Sequence, residues 1–222
     1  MSYKTTQAHL AAELDRIEQL LKAYAETNGG QGEHSQREST DAATLTANHA
    51  ELPVALPRAA RQHIDDMRAE IDRRCEQTPS DVRLRLRVLA DRFDLSRREL
   101  DVLLLAAAPT LDSHFGPLFE AAHDSGGTTT ATVGLVEDLF SHTRQQRYAA
   151  GTLLSADSAL RRHGLVTVGD EPDDGTPHDR ELSIPERLRS YLQGDRNLDS
   201  TLATAASLTT ADATLADLRL DH

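Results

Sequence analysis

Residues 95–112 read LSRRELDVLLLAAAPTLD, and we predict that the rest of the chain packs around this stretch. Ser96 is followed three residues later by Glu99. This is the spacing of a capping box, which satisfies free backbone N–H groups where a helix begins. Asp101 is the one charged residue in the apolar middle of the stretch, so the helix is expected to be buried on most faces. Pro109 is expected to end the helix, because proline cannot continue its hydrogen-bond ladder.

The composition favours one helical core. The chain has 222 residues, of which 38% are hydrophobic and only 4% aromatic, with no Trp. Such a core must be built from aliphatic side chains, which suit helices better than a large sheet. The single cysteine, Cys75, cannot form an internal disulfide and is expected to be a small buried residue. No stretch approaches the roughly 20 apolar residues of a membrane span, so we predict a cytoplasmic protein with no membrane partner.

The formal net charge of −12 disfavours nucleic acid as a partner. Proteins bind nucleic acids and anionic membranes through clustered cations that displace counterions. Lysine occurs only at Lys4 and Lys22, whereas aspartate is abundant. Such a composition is expected of a protein adapted to high salt, where the Debye length falls to about 3 Å and self-repulsion costs little. An ordinary acidic cytosolic protein is the alternative.

The N-terminal region, residues 1–26, is predicted to be an amphipathic helix with a heptad seam. The seam must be covered either by the same chain or by another protein, and the spacing favours neither. Residues 27–51 are polar and rich in glycine and predict a flexible linker, which would leave the first helix on a tether. The candidate seam for a partner helix consists of Leu10, Leu14, Ile17, Leu21 and Tyr24.

Residues 52–194 are predicted to form a helical domain that ends in a β-hairpin. After several amphipathic segments, the runs at residues 165–168 and 180–184 change from helical to extended character. Pro185 then begins a last helix and Gly194 ends it. This order of elements is that of a winged-helix domain. We therefore predict a mainly α fold, a winged-helix-like helical domain with one β-hairpin (the wing), preceded by a tethered heptad helix.

Two further segments have simple interpretations. Arg83, Arg85 and Arg87 alternate with apolar residues, which is typical of a solvated helix face, with a phosphate-reading stripe as the alternative. Residues 195–222 consist largely of Ala, Thr, Leu and Asp and predict a low-complexity tail or linker.

The sequence contains no constellation typical of an enzyme. Neither lysine follows a glycine, so there is no P-loop, and no G-x-G-x-x-G, H-E-x-x-H or G-x-S-x-G motif occurs. Residues 170–181 match a calcium loop at four positions, but Pro172 and Pro177 occupy two of the others, and the flanks are predicted strands. We predict an exposed wing tip there. No catalytic, metal-binding or cofactor-binding residue is predicted, and no cofactor is expected.

Basic residues near the wing are the candidate contacts to a partner or to DNA. In a DNA reader, the helix before the wing enters the major groove and basic residues contact phosphates. The wing of this chain carries Glu171, Asp173, Asp174 and Asp179, which would repel phosphates, and this favours a protein partner. The candidate contact residues are Arg144, Arg147, Arg161, Arg162 and His163.

Three stretches resemble one family: residues 95–112, Phe115-Gly116 and residues 160–166, which read LRRHGLV. They resemble the winged-helix variant domain found N-terminal to the ATPase core of prokaryotic AAA+ proteins, including ATPases associated with contractile injection systems. The resemblance covers about residues 82–194. It implies a non-catalytic recognition or adaptor domain whose partner is an AAA+ core or its substrate. A winged-helix DNA-binding transcriptional regulator is the alternative.

Overall fold

The computed structural model describes residues 2–29, 56–123, 127–141, 144–173 and 175–195. The predicted mainly α fold with one hairpin is confirmed. No helix among these residues has both the length and the apolar character needed to cross a bilayer. Residues 30–55 and 196–222, which hold most of the predicted linker and tail, lie outside the described part.

The helices are α1 (Thr6–Gly29), α2 (Arg58–Glu76), α3 (Arg85–Phe93), α4 (Arg97–Leu111), α5 (Phe115–Ala122), α6 (Val133–Leu139), α7 (Arg144–Thr152), α8 (Ala159–Arg162) and α9 (Glu186–Gln193), and the strands are β1 (Thr167–Val168) and β2 (Leu182–Ser183).

Helix α4 lies at the centre of the core, as predicted. All its residues from Leu100 to Ala108 are buried. The capping box is present, because Ser96 N donates to Glu99 Oε2 at 2.8 Å and Glu99 N donates to Ser96 Oγ at 3.3 Å. The start of this helix is therefore determined by side chains adjacent in sequence.

The predicted end of α4 at Pro109 is wrong, because the helix continues to Leu111. Proline has no N–H to donate to the carbonyl of the preceding turn, so one hydrogen bond of the helix is missing at Pro109. The last turn keeps other bonds: Asp112 N donates to Ala108 O at 2.9 Å, and Thr110 Oγ1 donates to Ala107 O at 2.8 Å.

We expect Ser96→Ala to lower the free energy of unfolding by about 1 kcal/mol, since the variant loses the N-cap of the central helix. Urea denaturation followed by circular dichroism measures the change. Ser80→Ala, at an exposed serine outside the helices, is the matched control and is expected to stay within about 0.5 kcal/mol of the parent. Equal effects of the two substitutions would contradict the role of the cap.

Helix α1 belongs to the core, and this corrects the predicted partner seam and the tethered position of the helix. It packs mainly on α5, α2 and α4, and it also contacts α3 and α9. Leu14 is half-buried against the same cluster of apolar side chains, and the other four seam residues are buried: Leu10, Ile17, Leu21 and Tyr24. Each fully buried aliphatic side chain contributes roughly 1.5–3 kcal/mol, so the chain covers its own seam instead of offering it to another protein.

The wing is a short antiparallel hairpin attached to the helical body. Leu182 N donates to Ala131 O at 2.8 Å, and Val133 N donates to Arg180 O at 3.0 Å, so the hairpin is bonded to the chain that enters α6. Helix α9 follows Pro185 and ends at Gly194, whose positive φ of 106° suits glycine, as the sequence predicts. The register pairs Thr167 with Ser183 and Val168 with Leu182.

Arg85 holds α3 to the end of α9. Its Nη1 donates to Tyr191 O and its Nη2 to Gly194 O, both at 2.7 Å, and its backbone N donates to Thr6 Oγ1 at 3.0 Å. Arg83 and Arg87 are exposed, as expected of a solvated face. Arg85, the middle one of the three arginines, therefore has a structural role that its spacing did not indicate.

Four charged side chains form a buried cluster between α1 and α4: Glu13, Arg16, Arg97 and Asp101. Arg16 Nε donates to Glu13 Oε2 at 2.9 Å, and Arg16 Nη2 donates to Asp101 Oδ1. Arg97 donates to both oxygens of Glu13, at 2.9 and 2.7 Å. The side chain of Arg16 is 0% exposed and that of Asp101 is 1% exposed. The cluster balances two positive and two negative charges, which is what makes their burial tolerable.

Candidate functional site

Helix α8, the element before the wing, is a single short turn. Ser158 caps it, accepting a hydrogen bond from Arg161 N at 3.4 Å, and Leu160 is fully buried. The helix has only four residues, Ala159–Arg162. A helix of this length presents one turn of side chains to solvent.

The basic residues on and after α8 are exposed but partly engaged by the protein itself. Arg161 Nη1 donates to Leu154 O at 3.3 Å, and Arg162 Nη2 lies 3.3 Å from His163 Nε2. The His163 ring packs against Phe93, with ring centroids 4.7 Å apart. These three predicted site residues thus lie together at the turn from α8 into β1.

The two arginines predicted on α7 lie on a different part of the fold. Arg147 forms an ion pair with Asp138 of α6, which compensates its charge. Arg144 begins α7, and its side chain is outside the described part of the structure. Helix α7 packs on α6, whereas α8 packs on α4. Arg161, Arg162 and His163 therefore lie together, whereas Arg147 lies elsewhere on the fold and forms an intramolecular ion pair.

The wing tip is acidic. Asp170, Glu171 and Asp173 are exposed on it, and Asp174 lies outside the described residues. Asp179 accepts hydrogen bonds from the backbone N and the hydroxyl of Thr176, at 2.7 and 2.8 Å, and these bonds lower the pKa of its carboxyl. Exposed carboxylates at this position oppose an approaching phosphate backbone.

The segment that matched a calcium loop contains a structured turn. Residues 177–179 form a 3₁₀ turn inside it, and Gly169 N donates to the backbone carbonyl of Glu181 at 2.8 Å, which continues the hairpin. Among the residues that the structure describes, no group of three or more His, Cys, Asp or Glu side chains is arranged to hold a metal ion.

A groove between α3, the α8–β1 turn and α9 is the second surface feature, and we call it the α3–α9 groove. Its volume is about 260 Å³. His163 lines it, so the groove adjoins the basic group at the end of α8. Its lining residues are Val88, Leu89, Arg92, Phe93, His163, Gly164, Leu165, Pro185, Arg187, Leu188 and Tyr191.

Comparison with known proteins identifies the family. A family model described as "Winged helix domain, variant" matches residues 1–206. The chain belongs to this winged helix domain family. No curated protein and no solved structure matches the chain. The match includes α1, in agreement with the position of α1 in the core of the winged helix domain.

The sequence did not indicate the α3–α9 groove of this winged helix domain. Leu188 and Tyr191 are apolar positions of the last helix, and nothing in their spacing distinguishes a groove residue from a core residue. Arg92 and Arg187 are 95 residues apart in the sequence and belong to no common motif. A groove formed by side chains from distant segments leaves no local pattern to find.

Proposed function

We propose that this winged helix domain is a non-catalytic protein-interaction domain, a recognition or adaptor module that works with an AAA+ ATPase. The observation that carries the proposal is the charge of the wing. Asp170, Glu171 and Asp173 are exposed at its tip, where a DNA-reading winged helix would meet phosphates. A surface of this sign favours protein over nucleic acid.

The AAA+ partner is supported by the resemblance of residues 95–112 and 160–166 to the domains that precede such ATPase cores. The sequence has no P-loop, so the domain would act by binding and would leave ATP hydrolysis to the core. The bound protein would be the core itself or its substrate. The proposed setting is a cytoplasm of high salt, in keeping with the net charge of −12 and two lysines.

DNA binding is the second candidate function, and one observation favours it. Arg161 and Arg162 are exposed beside each other, and neither has a carboxylate partner among the described residues. Two exposed guanidinium groups without a carboxylate partner, at the end of a capped turn, are suited to contact phosphates.

One experiment separates the two functions. The full chain is used to recover partners from cells at their working salt, with identification by mass spectrometry, and its mobility shift with genomic DNA fragments is measured at the same salt. We expect an AAA+ ATPase among the recovered proteins and no shift of DNA. Recovery of no ATPase would contradict the AAA+ proposal.

A DNA shift that is abolished by Arg161→Ala with Arg162→Ala would establish the second function and overturn the first. Arg58→Ala with Arg83→Ala is the matched control, since both residues are exposed and lie away from the wing. This control removes the same charge and should leave any specific shift unchanged.

A further inference from the structure

We propose that the α3–α9 groove binds an acidic amphipathic helix of a protein partner. The inference rests on the proposed protein-interaction function and adds the place and the chemistry of the contact. It follows from three features of the groove: an apolar floor, a cationic rim with no acidic member, and walls made by two helices.

The floor is apolar and open to solvent. Of the apolar lining residues, Val88, Phe93 and Tyr191 are half-buried, and Leu165 and Leu188 are buried. A groove of about 260 Å³ with this lining accommodates bulky apolar side chains, which would gain the free energy of leaving water. The ligand must therefore present apolar anchors.

The rim is cationic on a protein whose net charge is −12. Arg92 on α3 and Arg187 on α9 are exposed, and neither has an ion-pair partner in the described part of the chain. The lining contains no Asp or Glu. Complementary charge selects a ligand that carries carboxylates next to its anchors.

The walls indicate the form of the ligand. Arg92 and Arg187 come from the two helices that flank the floor, so the complement is an apolar stripe with acidic residues on both sides. An amphipathic helix with anchors at i, i+3, i+4 and i+7 has this pattern. A peptide that binds by strand addition would need a free strand edge, and neither β1 nor β2 lines the groove.

Fluorescence anisotropy with the full chain tests the proposal. The probe is a labelled synthetic helix of roughly 15 residues, with Leu at i, i+3, i+4 and i+7 and mainly Glu elsewhere. We expect saturable binding that Arg92→Glu with Arg187→Glu weakens about tenfold or more. Arg58→Glu with Arg83→Glu makes the same change of charge outside the groove and should alter the Kd less than about twofold.

Two further comparisons keep the result specific to the groove. A peptide with Lys in place of every Glu should bind at least about tenfold more weakly, because its charges oppose the rim. If the paired charge reversal fails to fold, Val88→Gln removes apolar contact while keeping the rim, and it should also weaken binding. Circular dichroism of each variant confirms that it is folded.

Three results would overturn the proposal. The first is that the acidic peptide shows no saturable binding to the full chain, and the second is that it binds the groove variants and the control variants equally well. The third is that light scattering shows the full chain to be a dimer, and that only the groove variants are monomers. The dimer would make a second copy of the chain the occupant. If the full chain does not bind the peptide but still recovers an AAA+ ATPase from cells, this inference alone is overturned. A specific DNA shift by the same full chain would overturn the proposed function as well.

Discussion

Replacing Arg16 with alanine is expected to lower the free energy of unfolding by about 3–5 kcal/mol, a large fraction of the roughly 5–15 kcal/mol that stabilises a typical domain. The side chain of Arg16 is fully buried and donates to Glu13 and to Asp101. Its removal leaves two buried carboxylates facing the single guanidinium of Arg97. The cost arises from the uncompensated charge more than from the lost attraction.

Arg73→Ala is the matched control for this prediction. Arg73 pairs with Glu70 at the same i, i+3 spacing as Arg16 with Glu13, but the Arg73 side chain is 53% exposed. Exposed pairs contribute about 0–1 kcal/mol because water solvates both partners. Urea denaturation of both variants at neutral pH measures the difference. If the free energies of unfolding of the two variants decrease by amounts that agree within about 1 kcal/mol, burial of the charged cluster does not determine its contribution to stability.

Acid is expected to remove about 3 kcal/mol of stability through Glu13 alone. Burial by itself would raise the pKa of this carboxyl, but the guanidinium groups of Arg16 and Arg97 outweigh it and lower the pKa from 4.5 to about 2. The unfolded chain therefore binds the proton more readily than the folded chain. The contribution of Glu13 is complete above pH 4.5 and is lost as the pH falls toward 2.

His9 acts in the same direction at higher pH. Burial lowers the pKa of its imidazole below the usual 6.5, and its Nδ1 has no hydrogen-bond partner among the described residues. The folded state disfavours the charged ring, so the unfolded chain gains a proton first as the pH falls below about 6.5. Stability is thus expected to decline in two steps, first through His9 and then through Glu13.

The urea midpoint measured at pH values from 7 to 2 tests this expectation. Glu13→Gln should start from a lower midpoint and lose most of the slope between pH 4.5 and 2. Glu76→Gln, at an exposed carboxylate on α2, is the control and should follow the parent curve. Parallel curves for the parent and Glu13→Gln would contradict the role assigned to the buried carboxylate.

Some element boundaries were predictable because their signals are local. The capping box at Ser96 and the end of α9 at Gly194 depend on residues within a few positions of each other in the chain. The hairpin was predicted from its extended runs, and the structure adds its register, which pairs Thr167 with Ser183. Pro109 was misjudged because the effect of a proline depends on how much helix follows it.

The candidate site was predictable only in part. Arg161, Arg162 and His163 lie where the order of elements placed them, before the wing. The ion pair of Arg147 with Asp138 required the packing of α7 on α6, which no spacing in the sequence encodes. The α3–α9 groove was missed for the same reason, since its walls come from helices that are far apart in the sequence.

The sequence by itself determined the mainly α composition, the start of α4, the end of α9, the wing and the acidic net charge, because propensities, caps and charge are properties of neighbouring residues. Tertiary structure alone decided that α1 belongs to the core, that Arg16 meets Asp101 at a separation of 85 residues, and that a cationic groove forms between α3 and α9. The physical reason is that burial and ion pairing depend on which segments, distant in sequence, pack together and exclude water. A heptad seam or a single charged residue could pack against several different segments, so its local sequence does not determine its partner.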